Sequence, residues 1–144
     1  VYRRNEKIKG FYRFYSPYFK ERLVSAILYV VNVKRISSMS NQLKTIRKKL
    51  KKKQIQLLAY YWQRDIGEKI FEPHYHAILI IPRIRIELFN VLFEGKNKSG
   101  AKAELCQDLE RFTNYLNGKE FFAPFRKRNN SVSRKLLNPP IILN

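Results

Sequence analysis

The chain predicts an α+β fold, a central and mostly antiparallel sheet flanked by helices. Three observations carry that expectation. Residues 24–33 (VSAILYVVNV) and 73–82 (PHYHAILIIP) are apolar runs rich in β-branched side chains, as strands buried on both faces require. A third run, 54–63 (QIQLLAYYWQ), is separated from 73–82 by a short turn, so the two should pair antiparallel. Segments with helical periodicity lie between and after these strands.

Taken in order, residues 1–22 mix Arg3, Arg4, Lys7 and Lys9 with Phe11, Tyr12, Phe14, Tyr15, Tyr18 and Phe19. They read as an arm or short helix packing its rings on the flank of the domain. The alternative is a surface for single-stranded nucleic acid, whose bases stack on rings while its phosphates seek cations. After the first strand comes SSMSNQLKTIRKKLKKK. Ser38 or Ser40 can cap a helix there, and Leu43, Ile46 and Leu50 recur on one side. Its end carries Arg47, Lys48, Lys49, Lys51, Lys52 and Lys53. That is a solvated helix terminus favoured by the dipole, a phosphate contact, or both.

The second strand, 54–63, leads to a turn near 66–69. The third, 73–82, is bounded by prolines that cannot donate to a ladder. Residues 83–93 fit helix or strand, and 94–100 (EGKNKSG) form a polar loop. Residues 101–116 (AKAELCQDLERFTNYL) predict one continuous helix, with Leu105, Leu109, Phe112 and Leu116 as its apolar stripe and Gly118 at its end. The tail from Phe121 reads as irregular and basic, with Arg126, Lys127, Arg128 and Arg134.

The whole is 144 residues with 44% apolar side chains, the size and composition of one domain, 1–144. Lys and Arg number 30 against 11 Asp and Glu, a net charge of +19. So much like charge repels itself and points to a polyanionic partner. A single cysteine, Cys106, excludes an internal disulfide and multi-thiolate metal sites; it reads as a small core residue. The apolar run at 23–33 is too short to span a bilayer and lacks a cleavage site. No membrane partner and a cytoplasmic location are expected. The chain begins at Val1, which reads as a fragment of a longer product.

The chemistry concentrates in His74-Tyr75-His76, which holds both histidines of the chain. Residues two apart on a strand share a face, so two imidazoles stand side by side and can ligate a divalent cation. The alternative is a polar pair on a solvated sheet face. A third ligand should come from the neighbouring strand. With the hairpin turning about the 69–70 bond, Asp65 falls opposite His74, with a Cβ separation of about 5 Å. Glu72 and Glu68 are reserve ligands.

The segment EPHYHAILIIP resembles the His-hydrophobic-His motif of the HUH endonucleases. That superfamily also carries a tyrosine on a helix with a basic or polar residue about one turn on. Here FTNYLNGKE offers Tyr115 and, four residues later, Lys119. The arrangement is most similar to the filamentous-phage gene-II-type replication initiators of inoviruses. Their Trp-x-Arg-acid, Tyr-Leu-x-Lys and Ser-Arg segments correspond to Trp62-Gln63-Arg64-Asp65, Tyr115-Leu116-Asn117-Gly118-Lys119 and Ser133-Arg134. The tyrosine-to-lysine spacing is one residue longer here, and Asp65 replaces a glutamate. The likeness covers roughly 24–136, so 23–136 would be the catalytic core and 1–22 an N-terminal arm.

The resemblance implies a rolling-circle replication initiator that nicks and rejoins single-stranded or hairpin DNA. His74, His76 and Asp65 would bind Mg²⁺ or Mn²⁺, with no small-molecule cofactor. Tyr115 would attack the scissile phosphate and take the 5′-phosphate, and Lys119 would favour the developing phenolate. A phenol ionises near pH ~10 and needs such help. The cations at 47–53 together with Arg126, Lys127, Arg128 and Arg134 would hold phosphates, and a host helicase or polymerase is a candidate partner. A single-tyrosine HUH transposase or relaxase is the first alternative. A nucleic-acid-binding protein without catalysis is the second. Tyr29 or an N-terminal ring would be the substitute nucleophile.

Overall fold

In the computed structural model, which describes residues 2–66, 73–93, 101–117 and 130–132, five strands form one sheet in the order β4-β1-β3-β2-β5. The elements are α1 (Tyr2–Lys20), β1 (Val24–Asn32), a 3₁₀ turn (Val33–Arg35), α2 (Met39–Lys51), β2 (Ala59–Ile66), β3 (Pro73–Pro82), α3 (Ile86–Phe93), β4 (Ala101–Leu105), α4 (Leu109–Asn117) and β5 (Asn130–Val132). Every paired strand runs antiparallel to its neighbour. The expected α+β class is therefore what the chain adopts.

Central β1 and β3 are buried on both faces, which is why they read as unbroken apolar runs. On one face Ile27, Tyr29, Val31, Trp62, Tyr75, Ala77, Leu79 and Ile81 pack against Met39, Leu43, Ile46 and Leu50 of α2 and Phe89 and Leu92 of α3. On the other, Ala26, Leu28, Tyr61, Ile78 and Ile80 pack against Ile8, Phe11 and Tyr15 of α1 and Leu109 and Leu116 of α4. The molecule is thus three layers, helices on both sides of the sheet. Alternation assigns His74 and His76 to the α1–α4 side.

Local chemistry explains most boundaries. The Ser38 hydroxyl caps α2 by accepting from Asn41 N at 3.1 Å. Both α1 and α2 end in the same hydrogen-bonded stop. Leu23 N reaches Tyr18 O and Arg22 N reaches Phe19 O after α1, while Ile55 N reaches Leu50 O and Gln54 N reaches Lys51 O after α2. That motif needs a left-handed residue, filled here by Arg22 and Gln54, each with φ of 60°. The N-terminal segment is a regular helix, with Ile8, Phe11 and Tyr15 fully enclosed, in agreement with its reading as a packed flank.

Three sequence expectations need correction, and one left open between helix and strand is decided. Residues 101–116 are not one helix: Ala101, Ala103 and Leu105 alternate onto the α2–α3 side as β4, pairing with Val31, Tyr29 and Ile27 of β1. The Asp108 carboxylate then starts α4 by accepting from Arg111 N at 3.0 Å, leaving Leu109, Phe112 and Leu116 as the stripe. The second strand begins at Ala59 rather than Gln54 and runs to Ile66, because the stop after α2 consumes Gln54 and Ile55. Residues 86–93 of the ambiguous stretch are helical. The tail contributes β5, whose residues 130–132 pair with Gln63, Trp62 and Tyr61. The turn at 67–70, the loop at 94–100 and Gly118 lie outside the described residues.

Candidate metal centre and tyrosine helix

The hairpin register puts Asp65 opposite His74, Gln63 opposite His76 and Tyr61 opposite Ile78. This is the pairing expected from a turn about the 69–70 bond. One face of the hairpin therefore grades from apolar (Tyr61, Ile78) through amide and imidazole (Gln63, His76) to the Asp65–His74 pair nearest the turn. Sharing one face is a consequence of the two-residue period.

Asp65, His74 and His76 each offer one ligand atom, and these atoms lie within 4.8 Å of one another. The two imidazole Nε2 atoms face each other at 2.9 Å, and Asp65 Oδ2 is 3.9 Å from His76 Nε2. Two cis ligands on one octahedral ion with bonds of ~2.1 Å would lie about 3 Å apart, so the imidazoles already stand at ligand spacing. Asp65 is wholly buried. A carboxylate enclosed in protein needs both hydrogen bonds and a compensating positive charge, and the donor set gives such a charge a place. The residues present therefore fit a divalent cation.

Sequence reasoning overlooked Gln63. Its Nε2 donates to both oxygens of Asp65 at 3.0 and 2.8 Å and to Leu116 O at 3.1 Å, while its Oε1 accepts from the Tyr61 hydroxyl at 2.7 Å. The signal was present as the alternation Tyr61-x-Gln63-x-Asp65, three polar tips on the histidine face. Gln63 aims the carboxylate and ties β2 to the backbone of α4.

Tyr115 lies on α4 with its ring centroid 6.0 Å from that of His76, the rings nearly perpendicular. Phe112, one turn earlier, stands 6.3 Å from His76 and 6.0 Å from Tyr115, filling the angle between helix and sheet. Tyr115 is 47% exposed, so its hydroxyl can meet a ligand from solvent. The substitutes are worse placed. Tyr29 is buried on the α2–α3 face, where burial raises its pKa above the usual phenol value, against a lowering hydrogen bond from Gln42. Tyr15 is enclosed in the α1 interface, and burial together with neighbouring Tyr18 pushes it up to about 12.

Trp62 and Arg64, the other members of the Trp-x-Arg-acid segment, point to the opposite face. There the Trp62 ring meets the Tyr75 ring edge-on at 5.3 Å, and the Arg64 guanidinium lies 6.0 Å from the same ring centre. Both support the strand from behind. The cationic end of α2, including Arg47, Lys48, Lys49 and Lys51 through Lys53, also belongs to the element packed on that opposite face. The sheet lies between α2 and the imidazoles. Lys49 covers the Phe93 ring at 4.9 Å. Cys106 is buried and its thiol is pushed up to about 11, chiefly by desolvation, as a core residue should be. Glu68, Glu72, Lys119, Arg126, Lys127, Arg128 and Arg134 lie outside the described residues. Among the described residues no helix is long and apolar enough to cross a membrane. No protein-family model matches this sequence, and comparison with curated proteins finds no significant relative.

Proposed function

We propose that the protein is a metal-dependent nuclease that nicks and rejoins single-stranded DNA through a phosphotyrosine link. The observation that carries this reading is the convergence of Asp65, His74 and His76 on one sheet face, with Tyr115 beside His76. A divalent cation held there, Mg²⁺ or Mn²⁺, supplies electrophilic polarisation of the scissile phosphate. Tyr115 Oη forms a bond to phosphorus, the bond from phosphorus to the 3′ oxygen breaks, and the phenol proton ends on that oxygen. The 5′-phosphate stays on Tyr115, so the energy of the diester is retained and a later 3′-hydroxyl can reverse the step. His74, His76 and Asp65 would hold that cation at the sheet face while α4 presents the phenol from solvent. The net charge of +19 suits a polyanionic substrate. The resemblance to gene-II-type HUH initiators supports rolling-circle replication as the setting of this chemistry.

The test is a labelled single strand or hairpin incubated with Mn²⁺, then boiled in detergent and run on a gel. Wild type is expected to give a covalent adduct, and Tyr115→Phe none while retaining its fold and metal binding. An adduct from Tyr115→Phe would move the attack to another tyrosine. Metal-independent DNA binding with no adduct from any strand would favour a binding protein without catalysis.

A further inference from the structure

One outward stripe of α1 carries Lys9, Arg13 and Lys20, all exposed. At 3.6 residues per turn these three fall within about 40° of arc and span about 17 Å along the axis. At its start the stripe borders a cleft of ≈ 260 Å³ between α1 and α4, where Lys9 and Arg13 face Asn114 and Asn117. Asn114 precedes Tyr115 in the chain. At its end lies a larger cleft of ≈ 450 Å³, whose cations are Lys20, Arg22 and Arg83 and whose lining, among the described residues, contains no acidic residue. That cleft is at the far end of the sheet, about 23 Å from Asn32 and the histidine end by the rise of β1.

Arg22 brings a third cation to the far cleft. It occupies the left-handed position of the α1 stop, with φ of 60°, where glycine is the favoured residue. A long cationic side chain there is held against local backbone preference, and it lines the cleft.

We infer that α1 is a phosphate track, in which Lys9, Arg13, Lys20, Arg22 and Arg83 hold the backbone of the DNA flanking the nick site. This rests on DNA being the substrate and says which surface carries its flank: the α1 side of the sheet, shared with the imidazoles, rather than the α2 cluster behind it. A strand leaving the Tyr115 helix passes the Asn114 cleft, follows the stripe and ends among the three cations of the far cleft. The far cleft would take a phosphate about seven base-pair steps away if the flank is duplex, at 3.4 Å per step.

The experiment is anisotropy of a labelled hairpin with a long flank, against one trimmed to a few nucleotides, both without metal and across a salt series. Arg22→Gly suits the φ of 60° and should fold with an unchanged or raised thermal midpoint. It should weaken binding of the long-flanked hairpin, lower the slope of log affinity against log salt by about 0.7–0.9, and leave the trimmed hairpin unaffected. The combined Lys20→Gln, Arg22→Gly, Arg83→Gln variant should lower the slope by about 2 and the affinity by tenfold or more. Unchanged slope and affinity for the long flank, or an equal loss on both hairpins, would overturn the track. The nicking reading fails separately. An adduct with no flank dependence removes the track alone, and flank dependence without an adduct removes the nicking chemistry alone. A wild type that binds neither hairpin at low salt overturns both.

Discussion

Gln63 Nε2 donates to both carboxylate oxygens of Asp65, at 3.0 and 2.8 Å, and the same amide nitrogen reaches Leu116 O at 3.1 Å. An amide has two N–H groups, so one is shared between the carboxylate oxygens and the other holds α4. The amide orientation is set by Tyr61, whose hydroxyl occupies Oε1. One side chain therefore aims the carboxylate and joins the strand of Asp65 to the helix of Tyr115.

Gln63→Leu keeps similar volume but removes every one of these bonds, leaving a buried carboxylate, a carbonyl and a phenol short of a partner. The expected loss is about 1–3 kcal/mol of stability by urea denaturation. Outer-shell partners of metal ligands are typically worth about 10–100-fold in metal affinity, so Mn²⁺ binding should fall by that order. A stability loss with unchanged Mn²⁺ affinity would make Gln63 a packing residue only.

Two of the three candidate ligands are imidazole nitrogens, and that donor set discriminates between ions. Mg²⁺ prefers oxygen and keeps its waters, whereas Mn²⁺ accepts imidazole more readily. The thermal midpoint should rise with Mn²⁺ at concentrations where Mg²⁺ does little, since binding to the folded state alone stabilises it. His76→Ala should abolish most of that rise. Acidifying the buffer should weaken binding, because an imidazole must be neutral to ligate. Equal midpoint shifts from both ions, with His76→Ala retaining them, would contradict the site. Mn²⁺ paramagnetic resonance gives the affinity without any cleavage assay.

Cys106 offers a probe of the opposite end of the sheet. Desolvation pushes its thiol up to about 11 from 9.0, with Asp108 and Glu104 contributing repulsion against a backbone hydrogen bond. The thiolate fraction at pH 8 is then about 100-fold lower than for an unperturbed thiol. Iodoacetamide should label the native protein at least tenfold more slowly than the urea-unfolded chain. Because the folded pKa is the raised one, the thiol's contribution to stability is complete below pH 9 and is lost as pH rises through about 11. Rapid native labelling would show that the region around β4 opens.

The convergence of Asp65, His74 and His76 was legible because it depends on local rules: the two-residue period aligns His74 with His76, and counting residues through a short turn brings Asp65 opposite His74. β4 was not legible. In AKAELCQDLERF the alternation of Ala101, Ala103 and Leu105 is only five residues long and runs directly into a helical stripe. What decides it is the edge of β1, some 70 residues earlier in the chain, a non-local partner that overrides local propensity. The placement of α2 behind the sheet was hidden for the same reason. Its basic end reads as a phosphate contact in any orientation, and only packing decides which face it covers. Gln63 was missed because an amide carries no charge and no metal chemistry of its own.

The N-terminal helix was expected as a flank, and adjacent residues within it give opposite predictions. Phe11 is fully buried, with its ring 5.1 Å from that of Tyr15 and 6.1 Å from that of Tyr61. Tyr61 is the residue that orients Gln63, so α1 supports the histidine face through the Phe11–Tyr61 contact. Phe11→Ala would leave a cavity against the sheet and should cost about 3–5 kcal/mol. Gly10, beside it, has no heavy atom within 4 Å of the space where a Cβ would stand. Alanine there adds helix propensity without a clash, so Gly10→Ala should stabilise by about 0.5–1 kcal/mol. Urea denaturation of the two variants should bracket wild type from either side. If α1 were a detachable arm, both substitutions would leave the midpoint where it is, and the enclosed faces of Ile78 and Tyr61 would need another cover.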